Sequence, residues 1–395
     1  MTGRGAAATM TGAASIVAVV AVALAAAAPA PAAFTAEQRA TVDRTIADEM
    51  RRSGYPGMVV GLWSPRGSYV TAQGVSDIDT QAPIDPDQPF RIGSVTKTFT
   101  ATLVLQLVER GKLRLADRLS RFLPKVPQAK RIRIRNLLSH TSGVPDLTQG
   151  INARVQLFPE ASWRPGQLIR LTSLQPSQCA VGDCFFYSNT NFVILGRIAE
   201  MVTGRPLAQL YERRIFEPLG LEQTSFAPGT SVPADIVHGY IEVAPASITD
   251  TTGWNLSWAF SAGAMVSTLN DLHTYARALA TGRGLLSERM QTRRLRFVPL
   301  RLTGRVFRYG LGIAKFGTYL GHNGQVPGYG AMMLSSPDRR ATLIALGNTA
   351  VTFDKLGSGT PPDPDLFGIA DKLREVLAGD GGESARRARD ARPPG

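Results

Sequence analysis

The chain has 395 residues, 44% of them hydrophobic and 19% charged, enough apolar material for one large domain or two modest ones, and this composition excludes disorder as the default state. Two cysteines and four scattered histidines (His140, His238, His273, His322) exclude a cysteine-rich scaffold and give no zinc-ligand spacing. The net charge is +13, of which Arg4 supplies one unit and the tail from Gly381 two (four Arg against Glu383 and Asp390), so the body keeps +10. Basic surfaces attract nucleic acid, but no nucleic-acid motif accompanies this one, and contact with anionic cell-envelope polymer fits better.

Residues 1–33 read as a secretory signal: Arg4 is a positive start, Ala13 to Ala28 carries no charge, and Ala30-Pro31-Ala32 offers small residues for cleavage. The alternative is an uncleaved N-terminal anchor, since Ala13 to Ala33 is about long enough to span a bilayer, although alanine is weakly hydrophobic and Pro29 and Pro31 interrupt its end. Thr35-Ala36-Glu37-Gln38 then has the form of a capping box, and Val42, Ile46 and Met50 recur at helical spacing until Gly54. Gly57 to Trp63 and Ser68 to Gln73 predict a hairpin across Ser64-Pro65-Arg66-Gly67.

From Ser94 to Arg110 the pattern becomes a long helix, apolar on all sides and therefore buried, ended by Gly111. Lys130-Arg131-Ile132-Arg133-Ile134-Arg135 alternates charge with isoleucine, which predicts a half-buried strand. Cys179 and Cys184, five positions apart, predict a local disulfide in an exported chain. Strands return at Tyr309 to Lys315, Thr318 to His322, Tyr329 to Ser335 and Ala341 to Asn348, and a last helix is expected over about 365–377.

Strands at both ends around a helical middle predict an α/β (α+β) architecture: a mostly antiparallel sheet built from both chain ends, flanked by terminal helices, with an inserted helical subdomain. The sheet part covers about 34–93 and 305–380, the helical part about 94–304, and 381–395 form a disordered tail. The site is expected in the crevice between the two parts.

Three short strings carry the chemistry. Ser94 opens the buried helix, where backbone N–H groups favour a developing oxyanion, and Lys97 lies three residues on, on the same helix face. A partly desolvated lysine there can accept the serine proton; an N-cap serine with a surface lysine would have the same spacing. Tyr187 beside a Lys97 ammonium would favour its phenolate and shuttle a proton, or else simply pack. Asn189, two residues later, either orients a substrate amide and holds Lys97 or caps a helix. Gly321-His322-Asn323-Gly324-Gln325 ends a strand; Gly324 permits close approach of a ligand, and the Gln325 N–H with that of Ser94 would form an oxyanion hole. Alone, that string also fits a glycine-rich hairpin corner.

Taken in order, the three strings resemble the serine β-lactamase and D,D-peptidase superfamily, in the branch of class C β-lactamases, D-alanyl-D-alanine carboxypeptidases and D-aminopeptidases, over about Thr35 to Leu377. Ile134 to Gly143 (with His140 in a buried structural turn), Tyr187 to Phe192 and Ser257 to Ser267 are similar to that branch as well. The resemblance implies catalytic Ser94, Lys97 and Tyr187, substrate contacts from Asn189, Trp258, His322, Asn323 and Gly324, with Trp258 roofing the cleft, and neither a metal nor an organic cofactor. His322 stands where class C β-lactamases have a lysine, which implies a D,D-carboxypeptidase or D-amino-acid peptidase on cell-wall-type peptides ahead of a broad esterase or amidase, and a β-lactamase third. Asn323 and Gln325 depart from the hydroxyl residues usual around that glycine. The absence of a G-x-S-x-G elbow and of H-E-x-x-H argues against other hydrolase designs. A non-catalytic envelope-binding protein on the same fold is the reading from another class.

Overall fold

The computed structural model describes residues 1–3, 33–244, 247–299, 308–349 and 366–378. The expected signal or anchor over 4–32 and the tail from 381 lie outside the described residues. Among them no helix is long and apolar enough to cross a membrane.

The helix Ala36–Ser53 begins on the expected capping box, with Thr35 accepting from the Gln38 N–H and Gln38 reaching back to the Thr35 N–H, and ends on Gly54 in the left-handed region. The hairpin Gly57–Ser64 and Gly67–Gly74 follows in the predicted place. An eight-stranded antiparallel sheet forms among the described residues, in the spatial order Gly67–Gly74, Gly57–Ser64, Ala341–Gly347, Tyr329–Ser336, Tyr319–Val326, Ala314–Phe316, Arg308–Tyr309 and Val298–Pro299. Its second seam joins an early strand to a late one, from Met58 opposite Gly347 to Trp63 opposite Thr342.

Strand alternation splits the interior in two. Met58, Val60, Leu62, Met332, Leu334 and Leu343 face the terminal helices Ala36–Ser53 and Leu366–Ala378. Val59, Met333, Ile344 and Leu346 face the helical region. There the helix Thr96–Glu109 is buried from Thr96 through Leu107, as its all-round apolar pattern requires. Each large side chain sealed in this way contributes about 2 kcal/mol.

Two expectations are corrected. Lys130 to Arg135 is a turn running into the short helix Ile134–Leu138, paired with residues 115–119 through a single bridge between Arg118 and Arg133 and the hydrogen bonds around it. Ile132 and Ile134 are buried and Lys130, Arg131 and Arg135 exposed, so the alternation reports burial without strand pairing. The strand expected from Tyr309 to Lys315 is broken, because Gly310 to Ile313 leaves the sheet: Leu311 N–H donates to Arg294 O and Gly312 N–H to Leu138 O, both at 2.9 Å. A Cβ on Gly312 (φ 69°) would lie 2.2 Å from the Ala101 Cβ, so only glycine lets the chain dip onto the buried helix here.

Candidate active site

A short strand, Phe90–Arg91, pairs with Met265–Ser267 and delivers the chain to a tight turn, Gly93–Val95, that runs into the helix Thr96–Glu109. Gly93 holds φ at 49°, and a Cβ on it would lie 2.5 Å from the Gln325 backbone nitrogen. On the facing strand a Cβ on Gly324 would lie 2.0 Å from Ile92 O and 3.0 Å from the Ser94 nitrogen. The two glycines therefore let the backbones of Ser94 and Gln325 come together beside the Ser94 hydroxyl. Gly324→Ala is expected to push the Ser94 turn away, with at least a tenfold loss of turnover and a stability loss of about 1–3 kcal/mol, checked by kinetics and urea unfolding. Unchanged kinetics would mean that the strand does not touch the reacting centre.

Lys97 is fully buried and its amine is saturated. Nζ lies 2.8 Å from Ser94 Oγ, 2.7 Å from Asn189 Oδ1 and 2.8 Å from Ala262 O. Burial drives its pKa down to about 7, opposed by the negative charge of Asp146. Deprotonated, the amine keeps its two donor bonds to Asn189 and Ala262 and turns its lone pair to the Ser94 hydroxyl, the arrangement of a general base at its nucleophile.

Tyr187 lies just ahead of the helix Asn189–Thr203, its phenol within electrostatic reach of the Ser94 hydroxyl and Lys97 Nζ 5.0 Å from its ring centroid. The expected phenolate is corrected. Burial pushes the phenol well above its ordinary value, and this outweighs the opposing effect of Ser94, so the resting group is O–H. The ring stacks on His140 at 4.4 Å. His140 is the buried turn residue expected from sequence, at φ 56°, with Nδ1 accepting from the Ser188 N–H at 3.1 Å and burial holding the ring neutral.

His322 differs from expectation. Its ring is buried and turned inward, Nε2 accepting from the Tyr309 hydroxyl at 3.0 Å and Nδ1 donating to the Asn323 carbonyl. Desolvation, with Lys97 nearby, holds its pKa down to about 3. A neutral imidazole with both nitrogens engaged does not present a charge or a free donor to a substrate. Trp258 packs within the core and is 5% exposed. Ser94, Tyr187, Asn189, Asn323 and Gln325 are half-buried around the sealed Lys97, so the hydroxyl faces a rim of neutral polar groups.

The Cys179–Cys184 disulfide is present. Its loop lies on the turn carrying His140, with Gln178 N–H donating to Gly143 O and Gly182 N–H to Thr141 O. Sequence reasoning missed three participants: the Ala262 carbonyl, Tyr309 and Asp146. Asp146 accepts from the Asn189 backbone and side-chain nitrogens. Its only advance signal was its place after Ser142-Gly143-Val144-Pro145, which reads as an ordinary loop. Among the described residues no group of three or more His, Cys, Asp or Glu is placed to hold a metal ion.

The sheet-and-helix architecture with a serine, a near-neutral lysine and a phenol in contact defines a serine hydrolase. The chain belongs to the beta-lactamase family, whose model matches residues 42–359. It is 29% identical to a D-aminopeptidase of Brucella anthropi over 321 residues, 78% of this chain and 58% of that protein. It is 33% identical to penicillin-binding protein 4 of Amycolatopsis lactamdurans over 183 residues, 44% of this chain and 45% of that protein. Among solved structures, the D-amino acid amidase of Ochrobactrum anthropi SV3, complexed with D-phenylalanine, superposes with a TM-score of 0.75 at 27% identity, covering 87% of this chain and 99% of that one.

Proposed function

We propose that the chain is an exported serine hydrolase that works through an acyl-enzyme on D-amino-acid peptides or amides of the cell-wall type. The observation that carries this reading is the 2.8 Å contact between Lys97 Nζ and Ser94 Oγ, with the lysine poised near neutrality. Ser94 Oγ attacks the substrate carbonyl and its proton passes to Lys97. The N–H groups of Ser94 and Gln325 hold the oxyanion. The proton then reaches the leaving nitrogen or oxygen through the Tyr187 hydroxyl, the carbon–leaving-group bond breaks, and the acyl group remains on Ser94. Water attacks the ester, returns one proton to Ser94 by the same relay and releases the acid. Asn189 and Asn323 line the substrate path, and similarity to a D-aminopeptidase and a D-amino acid amidase supports the D configuration of the acyl donor.

A second reading, a broader amidase or esterase, is favoured by the rim. The strand beside Ser94 offers Asn323 and Gln325, with His322 neutral and turned inward, where a cation would pair with a substrate carboxylate, so donors with uncharged leaving groups suit it. The expected result is covalent labelling of the parent by a fluorescent penicillin, burst turnover of an activated ester, and hydrolysis of D-amino-acid amides and D-Ala-D-Ala peptides ahead of their L isomers. Ser94→Ala abolishes all of these. A parent that takes no label and hydrolyses neither esters nor amides is a binding protein, and the proposal fails.

A further inference from the structure

Behind the proton-transfer groups lies a buried carboxylate that the reaction does not touch. Asp146 is 4% exposed, at the end of the turn that begins with His140. Its Oδ1 accepts from the Asn189 backbone N–H at 2.7 Å, and its Oδ2 accepts from Asn189 Nδ2 at 3.2 Å and from the Thr148 hydroxyl. Three donors converge on this one carboxyl group and favour its ionised form, against burial, which pushes its pKa above the usual carboxylate value. The turn is stitched to the helix Asn189–Thr203 by further bonds: Ser188 Oγ and Thr190 Oγ1 both donate to Pro145 O, and Leu147 N–H donates to Thr190 Oγ1.

This geometry settles which way the Asn189 amide faces. With Nδ2 committed to the carboxylate, Oδ1 must face Lys97 Nζ, where it lies at 2.7 Å. Turned over, the amide would set oxygen against carboxylate and N–H against the amine, losing both bonds. Building on the hydrolase reading above, we propose that Asp146 is a positioning residue for the acyl transfer: it locks Asn189 in one orientation, and through it aims the Lys97 amine at Ser94. Its charge acts on the same amine. The groups facing Lys97 are Asp146 and Asn189 on one side, Tyr187 and His140 from the stacked rings, and His322 backed by Tyr309 from the strand; among them Asp146 is the one acid, its carboxyl pushed up by burial and held back by its hydrogen-bond donors and Lys97, and its negative charge raises the lysine pKa against desolvation.

The test is Asp146→Asn in the full chain. An asparagine there can satisfy the Asn189 N–H only by turning its own NH2 toward Asn189 Nδ2, which forces one amide to rotate. The expected result is a loss in kcat of tenfold or more for an activated ester with KM little changed, and an acid limb of kcat/KM displaced to lower pH. Because Asp146 acts through Asn189, the double variant Asp146→Asn/Asn189→Ala is expected to be no slower than Asn189→Ala alone. Thr148→Val, which keeps the charge and loosens one bond, should reduce kcat a few-fold with the acid limb unmoved, and serves if Asp146→Asn does not fold. Costs that add in the double variant, or an unmoved kcat in both single variants, would overturn the proposal. Should the parent prove inactive, the hydrolase reading fails by itself; an NMR titration of 13C-labelled lysine then decides, expected to show Lys97 titrating lower in Asp146→Asn, with identical titration counting against the role of Asp146.

Discussion

Lys97→Met is expected to lower kcat/KM for any acyl donor by about 10³-fold or more while leaving a folded protein, since a buried proton acceptor at the nucleophile contributes factors of this size. The parent should show an acid limb near pH 7, where the buried amine gives up its proton. The same residue leaves a mark on stability. In the unfolded chain a lysine keeps its proton to about pH 10.5, whereas folded Lys97 releases it at about 7. Between those values the unfolded state binds more protons, so the contribution of this residue to stability rises with pH; below 7 both states are protonated and the penalty is constant. Urea unfolding at pH 7 and at pH 9.5 should show the parent gaining about 3 kcal/mol relative to Lys97→Met. Parallel stability curves for the two proteins would show that the amine is not desolvated.

Tyr187→Phe separates the phenol's chemistry from its packing. The ring stacked on His140 remains, so the fold should survive with a melting temperature close to the parent's. Only the hydroxyl that acts on Ser94 is lost. Turnover of amides is expected to fall by about 10²–10⁴-fold, the range for a positioned proton carrier. Activated esters, whose leaving groups depart without a proton, should suffer much less. Equal losses for amides and esters would assign the tyrosine to positioning and leave proton delivery to Lys97 alone.

What the sequence disclosed and what it hid follow from the range of the interactions. The first helix was legible to the residue because its signals are local: the Thr35 and Gln38 exchange at one end and Gly54 at the other. The Ser94 and Lys97 pair was legible for the same reason, since three residues of helix bring them together. Lys130 to Arg135 was misread because a period of two records which side chains are buried, and nothing within the segment says whether a partner strand exists. The inward turn of His322 depends on Tyr309, which reaches it from beyond the Gly310 to Ile313 excursion. The protonated state of Tyr187 and the clamp by Asp146 both arise from burial among distant elements, which no local pattern reports.

The seam where Gly57–Ser64 lies against Ala341–Gly347 has a consequence for how the molecule comes into being. The second strand of the chain's opening hairpin cannot substitute for that late partner, because it occupies the opposite edge of Gly57–Ser64. Loop closure between Gly57–Ser64 and Ala341–Gly347 must therefore precede the sheet that carries Gly324 and Gln325 up to Ser94, and chains dominated by such remote pairings fold slowly. A growing or truncated polypeptide can hold its serine and lysine in one helix and still lack the wall that receives the oxyanion. Reactivity in this architecture is thus withheld until synthesis has passed Ala341–Gly347.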